Sequence, residues 1–239
     1  MLTPLNDYRA LCDAFRWEVP SHYNIGVDIC DRWATQPDRL ALMYENEDGQ
    51  VEKYTFADLK RLSNKLANGL QASGIGQGDR FGILLPQCPQ TAISHIAAYK
   101  IGAIAIPMFT LFGTDALSYR LANSAAKGIV TDSANLPKIV EIRENLPDLE
   151  VVIVTRGTKE DQVLDFGELI EKGSADFTPF KTRADDPALI IYTSGTTGPP
   201  KGALHAHRVL LGHLPGVEFP HNFFPQANDF FWTPADWAW

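Results

Sequence analysis

The chain has 239 residues, with 21 lysines and arginines against 29 aspartates and glutamates, giving a formal net charge of −8. Apolar residues make up 45% and charged residues 21%, a globular composition that excludes a disordered, collagen-like or coiled-coil protein. The acidic balance argues against a nucleic-acid partner, because phosphate backbones attract net positive surfaces, but it leaves room for a local site that binds one nucleotide.

The sequence pattern in the first third of the chain predicts a hairpin followed by a helix. Leu40–Glu45 and Val51–Tyr54 flank a short polar turn, a pattern typical of a β-hairpin. Thr55 and Asp58 have the spacing of a helix capping box, and Gly74 is predicted to end the helix. The leucines between them recur every three or four residues and form one helix face: Leu59, Leu62, Leu66 and Leu70.

Short apolar strands then alternate with helical patterns. Four of them are Phe81–Leu85, Ala103–Ile106, Gly128–Thr131 and Val151–Val154. Strands that are apolar throughout are typical of parallel sheets covered on both faces, so we expect these four to be neighbours and mostly parallel. The predicted fold class is α/β, with stacked, mostly parallel sheets flanked by helices. The polar stretch 157–186 is predicted to be a linker or surface excursion, and the apolar run 188–192 to begin a second sheet.

The next segment is a loop of small residues. Every position from Thr193 to Pro200 is Gly, Ser, Thr or Pro, and Lys201 stands at the exit, before a helix predicted over Ala203–His213. Glycine lets the backbone approach an anion, hydroxyls donate hydrogen bonds and lysine supplies positive charge. A flexible surface loop is the alternative, but the preceding strand and the lysine favour phosphate binding. Pro200 and Gly202 flank the lysine, which does not fit the Walker pattern of P-loop NTPases.

The run YTSGTTGPPKG at 192–202 resembles the signature of the adenylate-forming superfamily, which includes acyl-CoA synthetases, peptide-synthetase adenylation domains and luciferases. The segments 54–59 and 99–109 are similar to two further family segments, in the expected order. The segment 230–239 resembles the stretch before the acyl pocket of acetyl- and medium-chain acyl-CoA synthetases. The resemblance implies a ligase that activates a fatty or short- to medium-chain carboxylic acid with ATP and then transfers the acyl group to CoA.

The resemblance also implies roles for individual residues. Six loop residues would wrap the β- and γ-phosphates of ATP: Thr193, Ser194, Gly195, Thr196, Thr197 and Gly198. Lys201 and Thr196 would be catalytic, the lysine through its charge and the threonine also through Mg²⁺. His207, Trp237 and Trp239 would bind the acid, although core packing is an equal alternative for the two tryptophans.

Three later family segments have no match in this chain, namely aromatic-Gly-x-Thr-Glu, Tyr-x-Thr-Gly-Asp and a late lysine. We therefore expect an N-terminal portion of a larger enzyme, inactive alone and without the C-terminal domain. Residues 1–184 would form a first α/β subdomain, and 185–239 would begin a second one that carries the loop. Two alternatives remain open: an adenylating enzyme that loads a carrier-protein thiol, and a nucleotide-binding module without catalysis. An exposed sheet edge at the second subdomain would favour homo-oligomers.

The cysteines and the apolar stretches predict a cytoplasmic protein without an integral membrane segment. The cysteines are odd in number and form no CxxC pair, which is typical of reduced thiols: Cys12, Cys30 and Cys88. The first 15 residues are charged where a signal peptide needs an apolar core. The most membrane-like stretch, 93–112, is interrupted by His95 and Lys100 and divided by Pro107.

Overall fold

A seven-stranded mixed sheet forms the centre of the protein, and a separate hairpin precedes it. The computed structural model describes residues 2–157, 160–194, 198–227, 229–233 and 235–238. The hairpin pairs β1 (Leu40–Glu45) with β2 (Val51–Thr55). The strands of the sheet are β3 (Arg80–Leu84), β4 (Ile104–Pro107), β5 (Gly128–Thr131), β6 (Val151–Val154), β7 (Val163–Asp165), β8 (Pro187–Thr193) and β9 (Lys201–Ala206).

The order of strands across the sheet is β7-β6-β5-β3-β4-β8-β9. All neighbouring pairs are parallel except β8 and β9, which are antiparallel. The predicted α/β class is therefore confirmed, and the four strands at its centre are parallel neighbours as expected. Their complete burial explains why they are apolar on both faces.

Helices cover both faces of the sheet and divide the core into two layers. One layer lies under α2 and α3 and includes Leu66 and Phe81, and the other lies under α4 and α5 and includes Leu117 and Ile139. The helices are α1 (Tyr8–Ala14), α2 (Phe56–Ala72), α3 (Pro89–Lys100), α4 (Thr114–Asn123), α5 (Leu136–Ile142), α6 (Phe166–Lys172) and α7 (Val209–Glu218). A π-helical turn at Val27–Asp31 and a 3₁₀ turn at Arg143–Asn145 complete the helical elements of the described residues.

The predicted capping box begins α2. The Thr55 hydroxyl accepts a hydrogen bond from the Asp58 amide at 3.1 Å, and the Asp58 carboxylate accepts one from the Thr55 amide at 3.2 Å. Gly74 follows the end of α2 with φ +91°, a conformation that glycine adopts without steric cost. Both ends of this helix are thus determined by local sequence.

Two predictions after the central strands are wrong. The segment 157–186 contains β7 and α6, which extend the sheet by one parallel strand. The apolar run 188–192 does not begin a second sheet, because β8 joins the same sheet through a parallel pairing of Leu189 with Ala105 in β4. The buried face of the sheet continues from β4 to β8, where Ala188 is fully buried.

The helix predicted over Ala203–His213 is also wrong over its first half. Residues 201–206 form β9, and α7 begins only at Val209. Alanine, leucine and lysine favour a helix, but intrinsic preference is a weak determinant against tertiary pairing. Here six register pairs with β8 fix the extended conformation.

A buried ion pair lies between α3 and the π-helical turn. Lys100 is fully buried, and its ammonium lies 2.6 Å from the Asp31 carboxylate. The same ammonium donates to the Ser63 hydroxyl at 2.9 Å and to the Asn64 side-chain oxygen at 2.8 Å. Burial lowers the pKa of Lys100, and the Asp31 carboxylate opposes that shift. All three partners are therefore needed to keep a charge inside the core.

Residues 21–25 are hydrogen-bonded to a segment that lies more than 150 positions later in the chain. The amide of Tyr23 donates to the Thr182 carbonyl at 3.0 Å, and the Thr182 hydroxyl donates to the Tyr23 carbonyl at 2.7 Å. The Asn24 side chain donates to the carbonyls of Tyr99 at 2.7 Å and Phe180 at 3.2 Å. These hydrogen bonds join an early and a late segment of the chain, and together the two segments cover the core beside α3.

The contact between α6 and α2 gives a stability prediction. A Cβ added at Gly173 would lie 2.4 Å from the Lys65 carbonyl oxygen and 2.8 Å from that of Leu169, and backbone cannot move away easily. We expect Gly173→Ala to lower the free energy of unfolding by about 2 kcal/mol in urea titrations. Gly76→Ala is the matched control, because a Cβ there meets nothing within 4 Å. Equal stability of the two variants would contradict the prediction.

Candidate functional site

The small-residue loop closes the hairpin formed by β8 and β9. Thr193 and Lys201 are register partners at the base of the loop, and both are exposed, as is Ser194. Gly198 has φ +95°, a left-handed conformation that favours glycine near the exit. Three of the predicted loop residues lie outside the described residues: Gly195, Thr196 and Thr197. The hydroxyls at the base and Lys201 thus lie at one end of a single turn, as a phosphate site requires.

Helix α4 supports both ends of the loop. At the exit, the Tyr119 hydroxyl donates to the Pro200 carbonyl at 3.0 Å. At the entrance, the Tyr192 hydroxyl donates to the Asn123 side-chain oxygen at 2.7 Å. A Cβ at Gly202 would approach the Tyr192 ring to 3.1 Å, so the two strands pack closely at this position. The base of the loop is consequently fixed by side chains that sequence analysis did not single out.

Arg120 lies on α4 between these two contacts and is 7% exposed. Its guanidinium carbon lies 4.0 Å from the ring centroid of Phe112 and 5.6 Å from that of Tyr192. One terminal nitrogen donates to the Ala116 carbonyl at 2.8 Å, whereas the buried Nε has no hydrogen-bond partner among the described residues. Burial lowers the pKa of Arg120, although a guanidinium stays protonated in proteins.

The C-terminal ends of β3 and β8 lie along the same edge of the sheet, the edge formed by strand ends, because β3, β4 and β8 are parallel. Only β4 separates them, so the loop after β8 and the loop after β3 are about 10 Å apart. Gln87, in the loop after β3, donates to the Ala235 carbonyl at 2.6 Å. The C-terminal segment that contains the predicted acyl-pocket tryptophans therefore reaches this same edge.

Trp237 stacks on a buried histidine of α3. Its ring lies 5.3 Å from the His95 ring at 26°, and 43% of Trp237 is exposed. His95 Nδ1 lies 3.3 Å from the Tyr99 hydroxyl, and burial lowers the pKa of His95 to about 4. Trp237 thus has one face on a neutral imidazole. Trp239 lies outside the described residues.

His207 is not brought to the loop. It follows β9 at the end opposite Lys201, and six residues at about 3.3 Å each separate the two ends of that strand by roughly 17 Å. His207 is fully buried, and its Nδ1 accepts a hydrogen bond from the Ile25 amide at 3.2 Å. Burial lowers the pKa of His207 to about 4, and Asp186 partly opposes the shift. Its contacts connect the hairpin to the N-terminal segment.

Comparison with known proteins decides the family. Residues 30–239 match the family described as AMP-binding enzyme. The chain belongs to this family. Among its relatives, an acetyl-coenzyme A synthetase of Streptomyces coelicolor is 34% identical, over 94% of the chain and 37% of the relative. A human mitochondrial acyl-coenzyme A synthetase is 31% identical, over 94% of the chain and 40% of the relative.

Solved structures show the same relationship for the AMP-binding enzyme fold. An acyl-CoA synthetase of Brucella canis superposes with a TM-score of 0.87 at 28% identity, covering 98% of this chain and 44% of that chain. An anthranilate CoA ligase in complex with anthranoyl-AMP gives a TM-score of 0.74 at 30% identity, over 83% of this chain and 38% of that one. This chain therefore spans less than half the length of the relatives it matches. No helix among the described residues has the length and apolar character needed to cross a bilayer.

Proposed function

We propose that the protein containing this chain is an AMP-forming acid–thiol ligase. It would join a carboxylic acid to the α-phosphate of ATP, release pyrophosphate, and pass the acyl group from the adenylate to the thiol of CoA. The observation that carries the proposal is the hairpin loop, in which exposed hydroxyls and Lys201 lie together at its base. The names of the relatives, acetyl- and acyl-CoA synthetases, support the same reaction class.

Negative charge collects on the leaving pyrophosphate during the first step. We propose that loop amides and hydroxyls from Thr193 to Gly198 bind the β- and γ-phosphates, and that Lys201 stabilises the developing charge. Mg²⁺ takes oxygen ligands and usually binds phosphates with only one or two protein groups. The hydroxyls of Thr193 and Ser194 suit that chemistry, as would that of Thr196; these residues would help to hold the ion, which would neutralise phosphate charge.

We place the acid beside Trp237, at the same edge of the sheet as the loop. The proposal rests on the position of that ring over His95 and on the contact between Gln87 and Ala235. The α-phosphate would then lie between the acid and the pyrophosphate bound by the loop. The apolar indole, with Trp239, would suit the chain of a fatty or short- to medium-chain acid. His207 would support the hairpin from its far end.

Three further features of the whole protein are proposed with it. Residues 1–184 would form one subdomain and 185–239 the start of another, with β8 and β9 completing the sheet that the two share. Self-association is supported by β9, an edge strand on which Leu204 is 59% exposed. The cytoplasm is proposed as the location on the basis of three free cysteines.

Lys201→Ala tests the proposal. We expect acid-dependent exchange of pyrophosphate into ATP to fall about a hundredfold, because one transition-state contact contributes roughly 3 kcal/mol. The exposed lysine should not affect the fold, so unfolding curves should coincide with those of the unmodified protein.

Lys172→Ala is the matched control, an exposed lysine on α6 that pairs with Glu168. It should exchange pyrophosphate at the normal rate. Unchanged exchange in Lys201→Ala at limiting ATP would remove the phosphate role of this lysine. Release of ADP and phosphate by the unmodified protein would overturn the ligase proposal itself.

A further inference from the structure

We propose that Arg120 is a positioning residue for the polyphosphate of the nucleotide, supplying positive charge from beneath the loop. The inference rests on the proposed function and adds to it a cation that lies outside the signature segment. Arg120 is on α4, 72 residues before Tyr192, and no short motif connects the two. It would act on the bound phosphates through the loop and without covalent chemistry.

Two consecutive residues of α4 contact the two ends of the loop. Tyr119 binds the carbonyl of Pro200 at the loop exit. The backbone carbonyl of Arg120 accepts a hydrogen bond from the Tyr192 hydroxyl at 3.2 Å, at the loop entrance. The Arg120 side chain also lies against the Tyr192 ring. Helix α4 thus contacts both ends of the loop, and the Arg120 guanidinium lies beside the aromatic ring at the loop entrance.

The charge of Arg120 has no counter-ion among the residues that the structure describes. None of the described carboxylates lies within 4 Å of it as an ion pair, and the Nε hydrogen has no acceptor within the same part of the chain. Burying a cation without an acidic partner is unfavourable, and two aromatic faces offset only part of that cost. A nearby anion would offset the rest. The adjacent loop is built from the groups that bind one, so the two features point to the same ligand.

The chemistry of the side chain explains why arginine stands here. A planar guanidinium stacks on aromatic rings and keeps a fixed orientation, whereas the ammonium of lysine is compact and strongly hydrated. Phe112 and Tyr192 provide the two rings. The Arg120→Lys variant would keep the charge but lose the stacking, and it should therefore retain only part of the effect.

Calorimetry on the full protein measures the binding of inorganic pyrophosphate and of AMP. Comparing the two ligands separates a role of Arg120 in phosphate binding from a role in packing the fold. We expect Arg120→Gln to weaken pyrophosphate binding about tenfold, the size expected for one charge acting without direct contact, and Arg120→Lys to lie between it and the unmodified protein. AMP binding should stay nearly unchanged. Equal loss for both ligands, or no loss for pyrophosphate, would overturn the proposal.

A second pair of variants keeps Arg120 in place. Ala116 lies one helical turn before Arg120, so Ala116→Glu supplies the missing counter-ion and Ala116→Gln is its neutral match. We expect the glutamate variant to bind pyrophosphate several-fold more weakly than the glutamine variant. Equal affinities would overturn the proposal even if Arg120→Gln does not fold. Absence of acid-dependent exchange in the unmodified protein would instead refute the ligase function and leave these binding results to stand alone.

Discussion

Acidification from pH 6.5 to pH 4 is expected to destabilise the fold through two buried histidines, His95 and His207. Burial lowers the pKa of each to about 4, whereas both return to about 6.5 on unfolding. Between these values the unfolded state binds protons that the folded state does not. Stability therefore falls as the pH falls through this window, by about 3 kcal/mol for each histidine, and the histidine contribution levels off below pH 4.

Glutamine variants isolate this effect from the titration of carboxylates. His207→Gln keeps an acceptor for the Ile25 amide but cannot take up a proton, and His95→Gln likewise removes one titrating group. Urea unfolding between pH 7 and pH 4 should show a shallower decline for each variant. His213→Gln, on the exposed face of α7, should follow the unmodified protein. Parallel curves for all four proteins would show that the buried histidines do not govern acid stability.

Asp31→Asn is expected to lower the free energy of unfolding by about 4 kcal/mol. The substitution leaves the fully buried Lys100 ammonium without its counter-ion, and breaking a buried pair in this way is strongly destabilising. Glu168→Gln removes the partner of the exposed Lys172 and should leave stability nearly unchanged, because solvent screens an exposed ion pair. Denaturant titrations of the two variants give the comparison directly.

The pH dependence of the stability of the Asp31→Asn variant provides a further check. Burial already holds the pKa of Lys100 below its ordinary value, and loss of the carboxylate lowers it more. The folded variant then releases a proton that the unfolded chain still binds, so its stability should recover as the pH rises toward the ordinary lysine pKa. Adding Lys100→Met should also restore stability, because an apolar replacement leaves no buried charge. A destabilisation that neither alkali nor the second substitution relieves would contradict the ion-pair explanation.

Elements whose signals lie within a few residues were predictable from the sequence. The Thr55–Asp58 capping box, the hairpin and the central strands depend on local spacing and apolar runs, and each is present. β9 was predicted as a helix because the preferences of its residues differ from the conformation that pairing with β8 imposes. The position of β8 depends on β4, about 80 residues earlier, and no local pattern encodes that choice.

The candidate site likewise has one part that local sequence predicts and another part that depends on tertiary contacts. The loop was recognisable because its small residues and Lys201 are consecutive. Tyr119 and Arg120 were missed because each meets the loop only after α4 folds against it, from 81 and 72 positions away. The one available signal was a tyrosine and an arginine between the core leucines 117 and 121, and that pattern is common on amphipathic helices.

The bonds between residues 21–25 and the segment around Thr182 set an order of events during synthesis. Strands β3 to β6 pair within about 75 residues of sequence and can assemble while the chain is still emerging from the ribosome. Asn24 can already bond the Tyr99 carbonyl, but Tyr23 must wait for Thr182 and Asn24 for its second partner, Phe180, both of which follow on the order of ten seconds or more later at ordinary elongation rates. Throughout that interval the part of α3 beside them lacks its final packing, and this face of the core is the last to close.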